Sequence, residues 1–197
     1  MGKGGKRGFY SFREQGARYG SFALELVPGS KCQLRCSNCY KRKTASGLKN
    51  SDMPDDFVFE AIRQAKECGF AEIVIIGGEP TLHNSLPKFM EFILGAGLTP
   101  ILVTNGIKLS NLGYAEKVAL KGATLVLHAP LPAEVQDRHT GRDGYSKLLL
   151  EAYDNVLGGE GVTVVGEVAI LEEFLPHIGL VYHWCLDHGV IPFFEAS

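Results

Sequence analysis

Cys32, Cys36 and Cys39 bring three of the chain's five cysteines into eight residues, in a C-x3-C-x2-C pattern. Thiolates are soft, charge-rich donors that suit iron and zinc. An iron–sulfur cubane held entirely by cysteine takes four of them. Three at this spacing wrap one face of a cubane and leave one iron without a protein ligand, the position a chelating small molecule needs. An odd count with three thiols so close is a poor disulfide framework and a good metal-site pattern for a reducing compartment. The neighbours Lys31, Gln33, Arg35, Ser37 and Asn38 are polar, as those of a core strand would not be. The alternative is a Zn²⁺ site completed by His83 or His128, which would make the chain a zinc-stabilised binding protein. Cys68 and Cys185 stand alone on helical patterns and read as small buried hydrophobes.

Further polar motifs recur at the ends of apolar runs: Gly77-Gly78-Glu79-Pro80, Thr104-Asn105-Gly106 and Leu127-His128-Ala129. The runs they follow are β-prone and belong to a series: Phe22–Val27, Glu72–Ile76, Pro100–Thr104, Thr124–His128, Val164–Ala169 and Val190–Phe194. Helical stripes lie between them. Val58, Ala61, Ile62, Ala65 and Cys68 form one, with Pro54 near its start and Gly69 after its end. Leu86, Phe89, Met90 and Ile93 form a second; Leu149, Ala152, Tyr153 and Val156 a third; Ile178, Val181, Tyr182 and Cys185 a fourth. A weaker helix is expected near Tyr114–Leu120. Strands alternating with helices predict a parallel α/β fold whose strand C-termini share one rim, where such folds build their chemistry. The cysteine loop, GGEP, TNG and HAP would then converge on one site.

Composition bounds the rest. The chain has 197 residues, 45% hydrophobic and 21% charged, with net charge −2. That fits one domain with a sizeable core. Residues 1–20 carry a local +4 and residues 31–43 a local +5, leaving −11 elsewhere. The second basic patch surrounds the cysteines, where it offsets thiolate charge or attracts an acidic redox partner. Stacking or groove-reading elements for nucleic acid are not evident. No apolar run approaches the ~18–20 residues of a membrane span, and the start lacks the apolar core of a secretory signal. A cytoplasmic address is expected.

The sequence resembles the radical S-adenosylmethionine (radical SAM) superfamily. The resemblance covers Phe22 to Ala196 and rests on C-x3-C-x2-C after a first strand with Gly77-Gly78-Glu79-Pro80 after the second. The Cys39-Tyr40 step, Thr104-Asn105-Gly106 and Leu127-His128-Ala129 look most like the branch containing molybdopterin-precursor synthases and peptide-modifying maturases. The resemblance implies a partial (β/α)6 barrel of parallel strands spanning residues 22–197, after a basic extension over residues 1–21. It implies a [4Fe–4S] cluster on Cys32, Cys36 and Cys39. S-adenosylmethionine would chelate the open iron, and a one-electron donor such as flavodoxin or ferredoxin would drive its cleavage to a 5′-deoxyadenosyl radical. The radical would take a hydrogen atom from a peptide or small metabolite. Gly77, Gly78 and Glu79 should hold the methionyl amine: glycines admit close backbone approach and a carboxylate complements an ammonium. Tyr40, Thr104, Asn105, His128 and Glu167 are the remaining candidates for cofactor contacts.

Three positions depart from the family's pattern. Asn38 stands where an aromatic residue usually precedes the last cysteine, so adenine packing passes to Tyr40 or another group. Val126 stands where the fourth strand often offers serine, and the GxIxGxxE pattern is missing around Gly166. His128 or Glu167 is then expected near the ribose. His83 and His139 read as loop residues, and His177, His183 and His188 as solvated or packing. The sequence stops just after the sixth strand, without the helix expected to cover it. A partner subunit or later segment is expected to supply that wall. The other function compatible with these motifs is a non-catalytic subunit that binds cluster and cofactor.

Overall fold

A computed structural model describes residues 23–39 and 52–195. The basic extension of residues 1–21 and the candidate Tyr40 lie outside the described residues. The elements, in order, are β1 (Ala23–Leu26), α1 (Asp55–Cys68), β2 (Glu72–Ile75), α2 (Leu86–Gly95), β3 (Thr99–Thr104), α3 (Leu112–Val118), β4 (Thr124–His128), α4 (Ala133–Thr140), α5 (Tyr145–Leu157), β5 (Thr163–Ala169), α6 (Ile178–Asp187) and β6 (Ile191–Glu195). Short 3₁₀ turns follow β2, β3 and β5 at Pro80–Leu82, Ile107–Ser110 and Leu175–His177.

All six strands are parallel and lie in sequence order, β1 to β6, in one sheet that does not close. Alternation along each strand decides which face packs. Ile73, Ile75, Leu102, Leu125, Leu127, Val164 and Val168 are at most 4% exposed and meet the helices. Their neighbours Val74, Val103, Val126, Val165 and Glu167 point to the other face and are only partly buried. Register carries this inner face across the strands: Val103 pairs with Val126, Val126 with Val165, and His128 with Glu167, which in turn pairs with Phe193. Two β6 residues on this face, Ile191 and Phe193, are 53% and 49% exposed.

The helices follow from their stripes. α1 buries Val58, Ile62 and Ala65, opens on Asp55 and Asp56, and carries Lys66 in its last turn, both favourable to the helix dipole. Gly69 closes it at φ 84°, returning backbone N–H bonds to Ala65 and Lys66. α2 buries Leu86, Phe89, Met90 and Ile93 completely. Each such side chain removed from water contributes roughly 1.5–3 kcal/mol. Among the described residues, no helix is long and apolar enough to cross a membrane.

The expected strands agree with the observed ones to within a residue or two, and the four strong stripes are helices. The exception is the crossover from β4 to β5, which holds two helices where one was expected. α4 reads AEVQDRHT, too polar and short to show a stripe, yet it buries Gln136, His139 and Thr140. His139, expected in a loop, lies on this helix.

Candidate functional site

The chain between β1 and Cys32 passes directly over the loop after β2. A Cβ on Gly77 would stand 2.6 Å from the Gly29 carbonyl, and one on Gly78 would overlap the carbonyls of Ser30 and Lys31. No other residue type fits beneath that strand of backbone. The contact is bonded as well as close: Gly78 N–H donates to Gly29 O at 3.2 Å and Glu79 N–H to Lys31 O at 2.7 Å. The GGEP loop therefore sets where the cysteine loop begins.

Glu79 extends the lock to the next strand. Its carboxylate is 2% exposed. Oε1 accepts from Thr81 N at 3.0 Å, Thr81 Oγ1 at 2.7 Å and Thr104 Oγ1 at 2.6 Å, while Oε2 accepts from Asn105 N at 2.7 Å. Burial pushes its pKa up, and these donors from Thr104, Thr81 and Asn105 oppose the shift. Oε1 is saturated; Oε2 has capacity for one more donor. Asn105 completes the ring, donating from Nδ2 to Cys32 Sγ at 3.8 Å and to Gln33 Oε1 at 3.3 Å. Thr104 and Asn105, 4% and 6% exposed, are thus brought together with Glu79 and Cys32.

The cysteine loop is also held from across the rim. α4 ends against it: Arg35 N–H donates to Thr140 O and Ser37 N–H to His139 O, both at 2.9 Å. His139 Nδ1 lies 2.9 Å from Ser37 Oγ and 3.1 Å from Glu173 Oε1, with the ring edge-on to Phe174 at 4.7 Å. A groove lined by Ser37, Asn38, Leu171, Glu172 and Glu173 runs beside this contact. Sequence reasoning missed His139 because α4 has no apolar stripe to reveal the helix.

The donor set fits a cluster better than a single ion. Cys39 N–H donates to Cys36 O at 3.2 Å, a tight turn, and Cys32 Sγ accepts from Leu34 N–H at 3.4 Å. Burial raises the Cys32 pKa, the bonds from Leu34 and Asn105 lower it, and Glu79 and Cys39 raise it further. Among the described residues, no three His, Cys, Asp or Glu side chains converge as one ion would require. A cubane does not ask for that, because each thiolate binds its own iron. His83 has neither ring nitrogen to spare for zinc: Nδ1 accepts from Ser85 N at 3.2 Å, so Nε2 donates to Met53 O at 3.1 Å. A fourth thiol is not at hand either, since Cys68 is the last residue of α1, which leads into the start of β2, and buried Cys185 packs against Gly166 in the middle of β5.

The rim over β4 to β6 is more open. His128 Nδ1 lies 3.1 Å from Tyr145 Oη, whose proton goes to Asn105 O at 2.7 Å. Burial, with His139 nearby, lowers the His128 pKa to about 4. Glu167, beside His128 in register, is raised to about 7 by burial and by hydrogen bonding and repulsion from Glu195. Neither His128 nor Glu167 joins the lock around Cys32. Tyr145, wholly buried on α5, is a residue of this rim that sequence reasoning did not single out.

Comparison with known proteins places these features in a family. The family model described as the Radical SAM superfamily matches residues 26–158, well over half of the chain. An S-adenosylmethionine-dependent nucleotide dehydratase of Lacinutrix mariniflava is 32% identical over 83 residues, covering 41% of this chain and 17% of that protein. A probable GTP 3′,8-cyclase of Methanococcus maripaludis is 38% identical over 108 residues, covering 51% of this chain and 34% of that protein. The chain thus spans about a third of one of these curated relatives and less of the other. Among solved structures, SuiB of Streptococcus suis superposes with TM-score 0.73 at 19% identity, over 90% of this chain and 40% of that one. Native anSMEcpe with bound AdoMet superposes with TM-score 0.70 at 19% identity, over 88% and 51%.

Proposed function

The chain belongs to the radical SAM superfamily, whose cofactors are a [4Fe–4S] cluster and S-adenosylmethionine, and on that premise we propose that it cleaves S-adenosylmethionine reductively for hydrogen abstraction. With an electron from a flavodoxin- or ferredoxin-type donor, the bound cofactors supply methionine and a 5′-deoxyadenosyl radical. Everything else is the work of the chain's own side chains. Cys32, Cys36 and Cys39 ligate the cluster. Gly77 and Gly78 carry the cysteine loop at its height above the rim. Glu79 Oε2, with capacity for one more donor, accepts from the methionyl ammonium, while Thr104 and Asn105 keep that carboxylate in place. His128 and Glu167 receive the adenosine end, with Tyr40 for the adenine.

The observation that carries this reading is the closed ring of bonds from Lys31 to Glu79, from Glu79 to Asn105 and from Asn105 to Cys32. It ties the thiol loop to the carboxylate that would meet the methionine, and a plain turn or a zinc knuckle has no use for it. The substrate, a small metabolite or peptide, approaches over the open β4–β6 face. The test is anaerobic reduction with dithionite in the presence of S-adenosylmethionine. 5′-Deoxyadenosine should form above the level given by Cys36→Ala. If the intact cluster binds cofactor and is reduced, yet yields no more than that variant, the chain is a non-catalytic cofactor-binding subunit.

A further inference from the structure

The hydroxyl of Tyr145 settles a question that concerns His128. A backbone carbonyl only accepts, so at 2.7 Å from Asn105 O the tyrosine must donate its one proton there. Burial holds the phenol well above its ordinary pKa, so the proton stays on. His128 Nδ1, 3.1 Å from the same oxygen, can bond to it only by donating. Nδ1 therefore carries the hydrogen. With the ring neutral at pH 7, Nε2 is left as a bare lone pair.

The surroundings give that lone pair a use. His128 follows Leu127 at the end of β4, on the face opposite the buried Leu125 and Leu127. Tyr153 fixes its backbone, donating to His128 O at 3.0 Å. Nε2 has no hydrogen-bond partner among the described residues, whereas every buried side-chain nitrogen or oxygen does have one. Nε2 is therefore an atom that solvent or a ligand reaches. Its neighbour across the register, Glu167, also offers oxygen acceptors.

We infer that Tyr145 is a positioning residue that fixes His128 as the Nδ1–H tautomer, making Nε2 an acceptor for a hydroxyl or amino hydrogen of the ligand and closing that position to phosphate. The ligand named here, the adenosine portion of S-adenosylmethionine, rests on the function proposed above; the tautomer does not. Two acceptors side by side match a donor-bearing sugar or amine. The bare Nε2 offers nothing to an anion, whose oxygens need donors.

Two measurements separate the claims. In the full chain, ¹⁵N-labelled at histidine with the cluster oxidised, long-range ¹H–¹⁵N correlation at pH 7 should show, among the histidine signals, a ring protonated only at Nδ1 that belongs to His128. Its loss in His128→Gln assigns it, and Tyr145→Phe should convert it to the other tautomer or a mixture. A His128 ring protonated at Nε2, or a pattern unmoved by Tyr145→Phe, overturns the inference. Calorimetry with S-adenosylmethionine then tests recognition. His128→Gln, whose amide oxygen can stand in for Nε2, should bind within about threefold of wild type, while His128→Asn and Tyr145→Phe should lose about tenfold. Equal affinity in all four proteins overturns the role in recognition. Failure of the wild type to bind overturns the proposed function and the ligand with it, while the tautomer stands or falls on the correlation spectrum.

Discussion

The two halves of the rim are built on opposite terms. Over β1 to β3, the cysteine loop, GGEP and TNG are laced by backbone and carboxylate bonds, and Glu79, Thr104 and Asn105 are 2%, 4% and 6% exposed. Over β4 to β6, His128 and Glu167 are partly open, and Ile191 and Phe193 keep about half of their surface, 53% and 49%. A buried carboxylate with four donors has one arrangement, whereas an open face of valine, phenylalanine and two glutamates admits many ligands. On the proposed function, the difference is a division of labour: the locked half would hold the cluster and the methionyl end of the cofactor, and the open half its adenosine end and whatever the radical acts on.

The largest effect should come from breaking the locked half at its ligands. Alanine at Cys32, Cys36 or Cys39 should remove most of the visible iron–sulfur absorbance after anaerobic reconstitution, whereas Cys68→Ala and Cys185→Ala should retain it. Next comes Glu79→Gln, which sets an amide N–H₂ among groups that are themselves donors. A charge-assisted bond is worth ~1.5–3 kcal/mol, so affinity for S-adenosylmethionine should fall about 10- to 150-fold with cluster absorbance kept. The same buried mismatch costs stability, and Tm should drop by roughly 4–8 °C.

A smaller effect tests whether the halves are joined by α4. His139→Ala removes bonds to Ser37 and Glu173 and an edge contact with Phe174. It should cost about 2 kcal/mol in thermal unfolding, and His139→Asn, which keeps an N–H near Nδ1, should recover part of that. If His139→Ala leaves both Tm and the reduced cluster's spectrum unchanged, the clamp across the rim is idle.

The smallest effect belongs to the open half and appears as pH dependence. Glu167 is raised from 4.5 to about 7, so the folded chain holds this proton more tightly than the unfolded one. Stability from this group is full below pH 4.5 and declines as pH rises through 7. Allowing for screening by water, the loss is on the order of 1 kcal/mol, or about 2–4 °C. Melting curves at pH 5 and pH 8 should show wild type falling by that amount more than Glu167→Gln. An equal change in both proteins would mean that Glu167 and Glu195 do not share a proton.

How much of this was legible follows the same division. Strand alternation and helix stripes were readable because half of each element faces the core, and Ile73, Leu102 and Leu125 mark that face plainly. The cysteine spacing and GGEP were readable because their residue types are costly to place without a use. The depth of Glu79 was not, since four donors from three different positions meet it only in the fold. α4 was hidden by polarity: Gln136, His139 and Thr140 are polar residues buried with hydrogen-bond partners, so no apolar stripe marks the helix. Tyr145 was not singled out, because its hydroxyl's partners lie 17 and 40 positions away in the chain.

The central claim is that Cys32, Cys36 and Cys39 hold one cluster with an iron open to S-adenosylmethionine. Electron paramagnetic resonance of the anaerobically reconstituted, dithionite-reduced chain tests it most directly. A single [4Fe–4S]⁺ signal should appear and should change shape when S-adenosylmethionine is added, in step with its binding. Stoichiometric zinc without labile sulfide, or a cluster signal that the cofactor leaves unchanged, would contradict the account.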